Sequence, residues 1–127
     1  MSRIFLILGA VAAFLAVAFG AFGAHLLRGR LPEDLYTVYQ TAVHYHAIHA
    51  LGLLLVGLLA HREGSRWMAA AGVLMAAGLI LFSGSLYVLA LSGMRGLGIV
   101  TPFGGLALLG AWFALAVAAW KLPRNDD

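Results

Sequence analysis

Histidines are the residues of this sequence most suited to chemistry, and their spacing is unusual. His44, His46 and His49 fall within one uncharged apolar stretch, and His25 stands at the end of the apolar run before it. Imidazole binds metals, holds haem through its ring nitrogens and exchanges protons near neutral pH. These four residues are therefore the first candidates for a binding or reactive site.

The spacing limits what these histidines could bind. On a straight helix at about 100° per residue, His44 and His46 point about 160° apart, so the three clustered histidines cannot share one metal. His46 and His49 are one turn apart, and His25 could join them from a neighbouring helix. The apolar stretches contain no Asp or Glu, and the chain has no Cys, which disfavours a bundle metal site or structural zinc. We expect no metal and no cofactor, with haem or a quinone as the open alternative.

A simpler role fits the same side chains. Neutral His and Tyr can hydrogen-bond across helices or to free carbonyls, and we favour this interpretation over a bound small molecule or a proton path. Ser83 and Ser85 together with His49 suggest nucleophilic hydrolysis. Such a pair also needs an orienting acid and an oxyanion hole, and the apolar stretches contain no acid. The sequence therefore does not predict an enzyme.

The elements that must position these residues are apolar helices. The chain has 127 residues, of which 63% are hydrophobic and 10% charged, and its mean hydropathy is +0.97. Soluble domains have about 45–50% apolar and about 25% charged residues. Scattered basic residues and the absence of Cys exclude a nucleic-acid module and a secreted disulfide scaffold. We therefore predict an integral membrane protein that contacts the lipid bilayer and has no nucleic-acid partner.

Four stretches are long enough to cross a bilayer, which takes roughly 20 helical residues. Pro32 suits a first helical residue, and Thr101 can cap a helix that Pro102 begins. Residues 1–127 are predicted to form a single all-α domain, a compact antiparallel bundle of four transmembrane helices. The predicted spans are about 4–24, 42–60 within a helix 32–60, 67–91 and 102–120.

Flanking charges predict the orientation of this bundle. The first stretch is longer than the about 7–15 apolar residues of a signal peptide, so we expect a retained span and both termini on one side. The terminal side carries Arg3, Arg62, Arg66, Lys121 and Arg124, and the other side carries Arg28, Arg30 and Arg95. This excess of basic residues predicts that both termini are cytoplasmic.

Small residues are expected to hold the helices together, because they let helix backbones approach closely in lipid. The same surfaces suit association with further copies or with other subunits of a larger membrane complex. The glycines predicted to pack between helices are Gly20, Gly23, Gly84, Gly104, Gly105 and Gly110.

Five blocks of the sequence, in this order, resemble a known family. They are 20–26 (GAFGAHL), 41–51 (TAVHYHAIHAL), 82–87 (FSGSLY), 101–105 (TPFGG) and 110–112 (GAW). They are similar to the domain-of-unknown-function family 423, which comprises small YgdD-like bacterial inner-membrane proteins and is similar to eukaryotic transmembrane protein 256. The resemblance implies a multi-pass protein of the bacterial inner membrane and implies no activity.

The resemblance also sorts the histidines. His25 and His49 fall on positions of the family pattern, as do Thr41 and Tyr45, whereas His46 departs from it and position 44 looks free. We therefore expect one polar cluster of seven side chains, formed by His25, Thr41, Tyr45, His49, Ser83, Ser85 and Tyr87.

Three functions follow from these expectations. The preferred one is a non-enzymatic accessory or structural membrane component. The alternative is a protein that binds a quinone, haem or lipid beside His25 and His49. A second alternative is a small transporter that acts as an oligomer.

Overall fold

Four long helices make up most of the part of the chain that the structure describes. The computed structural model describes residues 1–123, so Arg124 of the charge count lies outside the described residues. Within them, no strand forms, and four helical segments are long and apolar enough to cross a membrane. This confirms the all-α fold with four membrane-spanning helices. The helices are α1 (Ser2–Leu27), α2 (Glu33–Arg62), α3 (Arg66–Ser92) and α4 (Thr101–Trp120), the last preceded by a 3₁₀ turn over Arg95–Ile99.

Local signals set the helix ends. The Ser65 hydroxyl accepts a hydrogen bond from the Met68 N–H at 3.1 Å and caps α3, and Gly93 ends that helix with a φ of 73°. Pro32 precedes α2 as its N-cap, because its ψ of 144° is not helical. Thr101 is already inside α4 and follows the N-cap Val100. The prediction that Thr101 caps this helix was wrong, because its hydroxyl bonds elsewhere.

The helices pack mainly with their neighbours along the chain. α1 lies antiparallel to α2, α4 lies against α3, and α2 and α3 form the centre of the bundle. Gly9 brings α1 against Leu54 so closely that an added Cβ would lie 2.8 Å from the Leu54 nitrogen. Near the other end, Gly23 faces the ring of Tyr39. These two contacts fix how α1 and α2 are aligned.

The main cluster of buried apolar side chains lies at one end of the bundle. Phe5 of α1 reaches across to α3, where the absence of a side chain at Gly72 leaves room for its ring. Leu53 and Met75 are buried beside it, together with Ala111 and Ala114 of α4. Small residues at these positions let four helices meet without voids.

Two segments depart from α-helical geometry. The last five residues of α1, Gly23–Leu27, form a π-helical turn, and a second one interrupts α3 at Ile80–Gly84. Such turns accommodate one more residue than an α-turn and often occur at functional sites. The second one lies beside the polar residues described below.

The outer surface of the bundle is apolar. On α1, Phe14 and Val17 are 72% and 74% exposed. Only 17% of the apolar membrane-spanning stretch of this helix is buried inside the bundle. In water, an apolar surface of this extent would drive aggregation. The lipid bilayer is therefore the environment of these helices.

Candidate functional site

His49 is hydrogen-bonded at both ring nitrogens, and one of these bonds joins two helices. It is 5% exposed, its Nδ1 lies 2.6 Å from the Tyr45 carbonyl oxygen, and the Trp112 indole N–H donates to its Nε2 at 3.0 Å. Because Nε2 accepts, the proton of the neutral ring is on Nδ1 and is donated to the carbonyl. The Tyr45 ring stacks parallel to the imidazole at 6.0 Å. This His–Trp contact ties α2 to α4.

The contact lies deep in the membrane-spanning region. His49 is about 3 Å along the helix from the midpoint of the uncharged stretch 42–60, at about 1.5 Å per residue. Water is scarce at this depth, so a polar group there must find its partner within the protein. The indole and imidazole satisfy each other.

A second polar contact joins the other side of α2 to α3. His46 is 3% exposed, and its Nδ1 lies 2.8 Å from the Tyr87 hydroxyl. The Tyr87 ring packs edge-on against Phe19 of α1 at 5.0 Å. Beside it, the Tyr39 hydroxyl donates to the Phe19 carbonyl at 2.5 Å. Three helices therefore meet around Tyr87.

Ser83 and Ser85 of α3 bond to two different neighbouring helices. The Ser83 hydroxyl donates to the Ala42 carbonyl of α2 at 2.9 Å. The Ser85 and Thr101 hydroxyls lie 2.7 Å apart and link α3 to α4. Thr41 donates to a carbonyl of its own helix at 3.1 Å. Within residues 1–123, no buried polar side-chain atom lacks a hydrogen-bond partner.

The predicted single cluster does not form. His25 is exposed at the end of α1, and the Gly23–Tyr39 contact places it level with the first turns of α2. His49 lies about 18 Å further along the helix axis, at about 1.5 Å per residue. The remaining predicted residues separate into two groups, because Tyr45 belongs with His49 whereas Tyr87 belongs with His46.

Two functional candidates were missed by the sequence reasoning. His46 was set aside because it departs from the family pattern, yet it is buried and bonded. Trp112 was quoted only as part of a resemblance block. Its position was a usable signal, since Trp in a membrane helix is enriched near the interfaces and Trp112 stands in the middle of α4.

The predicted packing glycines behave differently from one another. A Cβ on Gly104 would overlap the backbone of Phe82, and one on Gly20 would lie 3.4 Å from Val43. Gly105 and Gly110 allow ordinary contacts of 3.7 Å and 3.4 Å. The packing prediction was wrong for Gly84, where nothing lies within 4 Å of an added Cβ, because this residue borders a cavity.

The His46–Tyr87 contact and the His49–Trp112 contact each border a cavity that opens toward the lipid. The first cavity, about 300 Å³, lies between α1 and α3 and is bordered by His46, Ser83, Gly84 and Tyr87. The second cavity, about 730 Å³, lies between α2 and α4. Its walls include three aromatic side chains and two imidazoles, those of Tyr45, Phe82, Trp112, His44 and His49.

The two buried histidines, His46 and His49, already hold hydrogen bonds to aromatic side chains. Among residues 1–123, no three His or acidic side chains lie together as a metal site would require. His49 would have to give up the Trp112 hydrogen bond before its Nε2 could bind iron. The geometry instead supports hydrogen bonding between helices and contact with molecules that enter from the lipid.

The fold and the site define a class: a polytopic membrane protein whose helices are joined by polar contacts at membrane depth. The model of the family described as a protein of unknown function, DUF423, matches residues 19–105. The chain belongs to this family.

Relatives cover almost the whole chain. The UPF0382 membrane protein YwdK of Bacillus subtilis is 48% identical over 94% of this chain and 98% of its own length. The UPF0382 inner membrane protein YgdD of Escherichia coli is 42% identical over 98% of this chain and 95% of its own length. A UPF0382 membrane protein of Staphylococcus haemolyticus is 40% identical over 94% and 97% of the two chains. No solved structure matches the chain.

Proposed function

We propose that this protein is a non-enzymatic component of the bacterial inner membrane that acts as an accessory or structural partner. One observation carries the proposal: within residues 1–123, the buried polar side chains are all bonded inside the bundle. A catalytic group needs a nitrogen or oxygen that can reach a substrate. The buried atoms suited to chemistry hold helices together instead, as the Nε2 of His49 does with the Trp112 indole.

The shape of the bundle supports a role in lateral association. α1 packs mainly against α2, and its outer face is almost entirely available to lipid or to another chain. Its small residues Ala13 and Ala16 border a shallow cavity with Ala47 and Leu51 of α2. Small residues allow close helix–helix packing in membranes. We propose this face as the contact with a further copy or with another membrane subunit.

Native mass spectrometry of the protein released in its own lipids tests this function. A defined homo-oligomer or a complex with one other subunit is the expected result. Replacing Ala13 by Trp should dissociate that species, whereas the matched replacement of Ala18 should not, because Ala18 is exposed, lies outside this cavity and points about 140° away from Ala13 around the helix. A chain that is monomeric under all conditions would contradict the proposal.

The charge distribution supports cytoplasmic termini. The E. coli relative is named an inner membrane protein, and we propose the same membrane for this chain. A green fluorescent protein fused to the C-terminus should fluoresce, and an alkaline phosphatase fused there should be inactive. Alkaline phosphatase should be active when fused within the loop between α1 and α2. The reverse pattern would contradict the orientation.

A further inference from the structure

The cavity between α2 and α4 has the size and walls of a ligand site. Its volume of about 730 Å³ falls in the range of about 300–1,000 Å³ that is usual for small-molecule pockets. The rings of Phe82 and Tyr45 lie 4.6 Å apart between centroids, and Trp112 faces them from α4. The exposed apolar side chains of Ile48 and Leu109 also border the cavity, so its mouth toward the lipid is apolar. Flat aromatic molecules fit such surroundings.

Two polar side chains border this cavity and lack a hydrogen-bond partner within residues 1–123. They are the imidazole of His44 and the phenol of Tyr45, and the Tyr45 side chain is 40% exposed. They lie about 9–10 Å along the helix from the midpoint of stretch 42–60. The hydrocarbon core extends roughly 15 Å from its centre, so both groups lie at a depth where unpaired donors are costly.

We propose that this cavity binds the ring of an isoprenoid quinone. A quinone ring is flat, carries carbonyl oxygens that accept hydrogen bonds and offers no strong donor of its own. It therefore matches the Tyr45 hydroxyl and an N–H of His44 as donors, while its faces contact Phe82 and Trp112. Its apolar tail leaves through the mouth into the lipid.

The same residues disfavour other membrane molecules. A phospholipid head group carries a phosphate, and no Lys or Arg borders this cavity. An acyl chain would fill the volume but would leave both donors unpaired. His49 does not contact the quinone through its nitrogens in this arrangement. It holds the Trp112 indole in place and is a positioning residue.

The inference goes beyond the accessory role, because binding needs only one copy of this chain. It also differs from the site predicted from the sequence, since His25 takes no part in it. Loss of quinone binding would leave the lateral association intact. Loss of association in native mass spectra would leave quinone binding intact. The two proposals can therefore fail separately.

Fluorescence of Trp112 provides the test. The chain has three tryptophans, and Trp67→Phe combined with Trp120→Phe leaves Trp112 as the reporter at the cavity wall. The purified full chain is placed in liposomes and titrated with decylubiquinone, whose ring quenches indole fluorescence on contact. We expect quenching that saturates at one quinone per chain. Adding Tyr45→Phe or His44→Leu should raise the half-saturating concentration roughly three- to tenfold, the effect of one lost hydrogen bond.

Matched controls separate binding from collisions in the bilayer. Tyr36→Phe removes a phenol that does not border this cavity, so the half-saturating concentration should not change. Circular dichroism establishes that each variant is folded, and His44 is exposed enough that its replacement should not unfold the bundle. Quenching that rises linearly with quinone content, or saturation unchanged in both the Tyr45 and the His44 variant, overturns the proposal.

Discussion

Replacing Gly104 by Ala should separate α3 from α4. The added Cβ would lie 2.7 Å from the Leu81 carbonyl carbon and 2.8 Å from the Phe82 Cα, with the Phe82 nitrogen closer still. Favourable contact between carbon atoms occurs at about 3.5–4.0 Å. The atoms in the way belong to the backbone and cannot rotate aside, so α4 must move outward by about 1 Å. Overpacking of this kind costs about 1–3 kcal/mol, and we expect about 2–3 kcal/mol here.

Gly84→Ala is the matched control for this change. Gly84 lies on the facing helix, but nothing lies within 4 Å of its added Cβ, because it borders the cavity between α1 and α3. Its replacement should therefore leave the free energy of unfolding within about 0.5 kcal/mol, or raise it by up to about 1 kcal/mol through helix propensity. The same chemical change thus has different effects at a glycine in a close helix contact and at a glycine beside a cavity.

Reversible unfolding by sodium dodecyl sulfate in mixed micelles, followed by circular dichroism, measures both variants. The expected difference in free energy of unfolding between the two variants is at least about 2 kcal/mol. If Gly104→Ala were as stable as the parent chain, the close backbone approach at this position would not exist. If Gly84→Ala were equally destabilising, there would be no open space beside Gly84.

Three further substitutions test the polar contacts in the same unfolding assay. Trp112→Phe keeps an aromatic ring but removes the donor to His49, so it should lower the free energy of unfolding by about 0.6–1.7 kcal/mol. If the same substitution costs nothing in a chain that already carries His49→Phe, the effect comes from this pair. Tyr87→Phe removes the hydroxyl partner of His46 and should cost a similar amount, and a cost below about 0.3 kcal/mol would count against that bond. Asp34→Asn removes the exposed ion pair with Arg95 and should leave stability almost unchanged, because exposed ion pairs contribute little; a clear loss would contradict its exposed setting.

The membrane-spanning helices could be predicted because the bilayer sets their length and composition. Uncharged stretches of about 20 residues have few alternatives to a transmembrane helix. Helix ends were less certain, as Thr101 shows. Whether a Thr caps its own helix or bonds to another helix depends on which side chains that other helix presents. For Thr101 the partner is Ser85 of α3. Sequence spacing within one helix does not contain that information.

The sequence did not reveal, for a related reason, which of the predicted polar residues are neighbours. A family resemblance marks positions that relatives share, but it does not say which of these positions are neighbours. His25 and His49 were grouped because both matched the pattern, although the alignment of α1 with α2 separates them. His46 departs from the pattern and yet is bonded to Tyr87. The helix-to-helix alignment and the rotation of each helix, set by packing, decide these contacts.

The π-helical segment at Ile80–Gly84 makes the length of α3 as important as its composition. If the same number of residues wound there as a regular α-helix, the wide turn would be lost and everything that follows would rotate by up to about 100°. Ser85 and Tyr87 would then turn away from their partners on α4 and α2, although every side chain would still be present. A single-residue deletion within this segment, which converts the wide turn into an α-turn, should therefore keep Ser85 and Tyr87 facing their partners, whereas a single-residue insertion should turn both away.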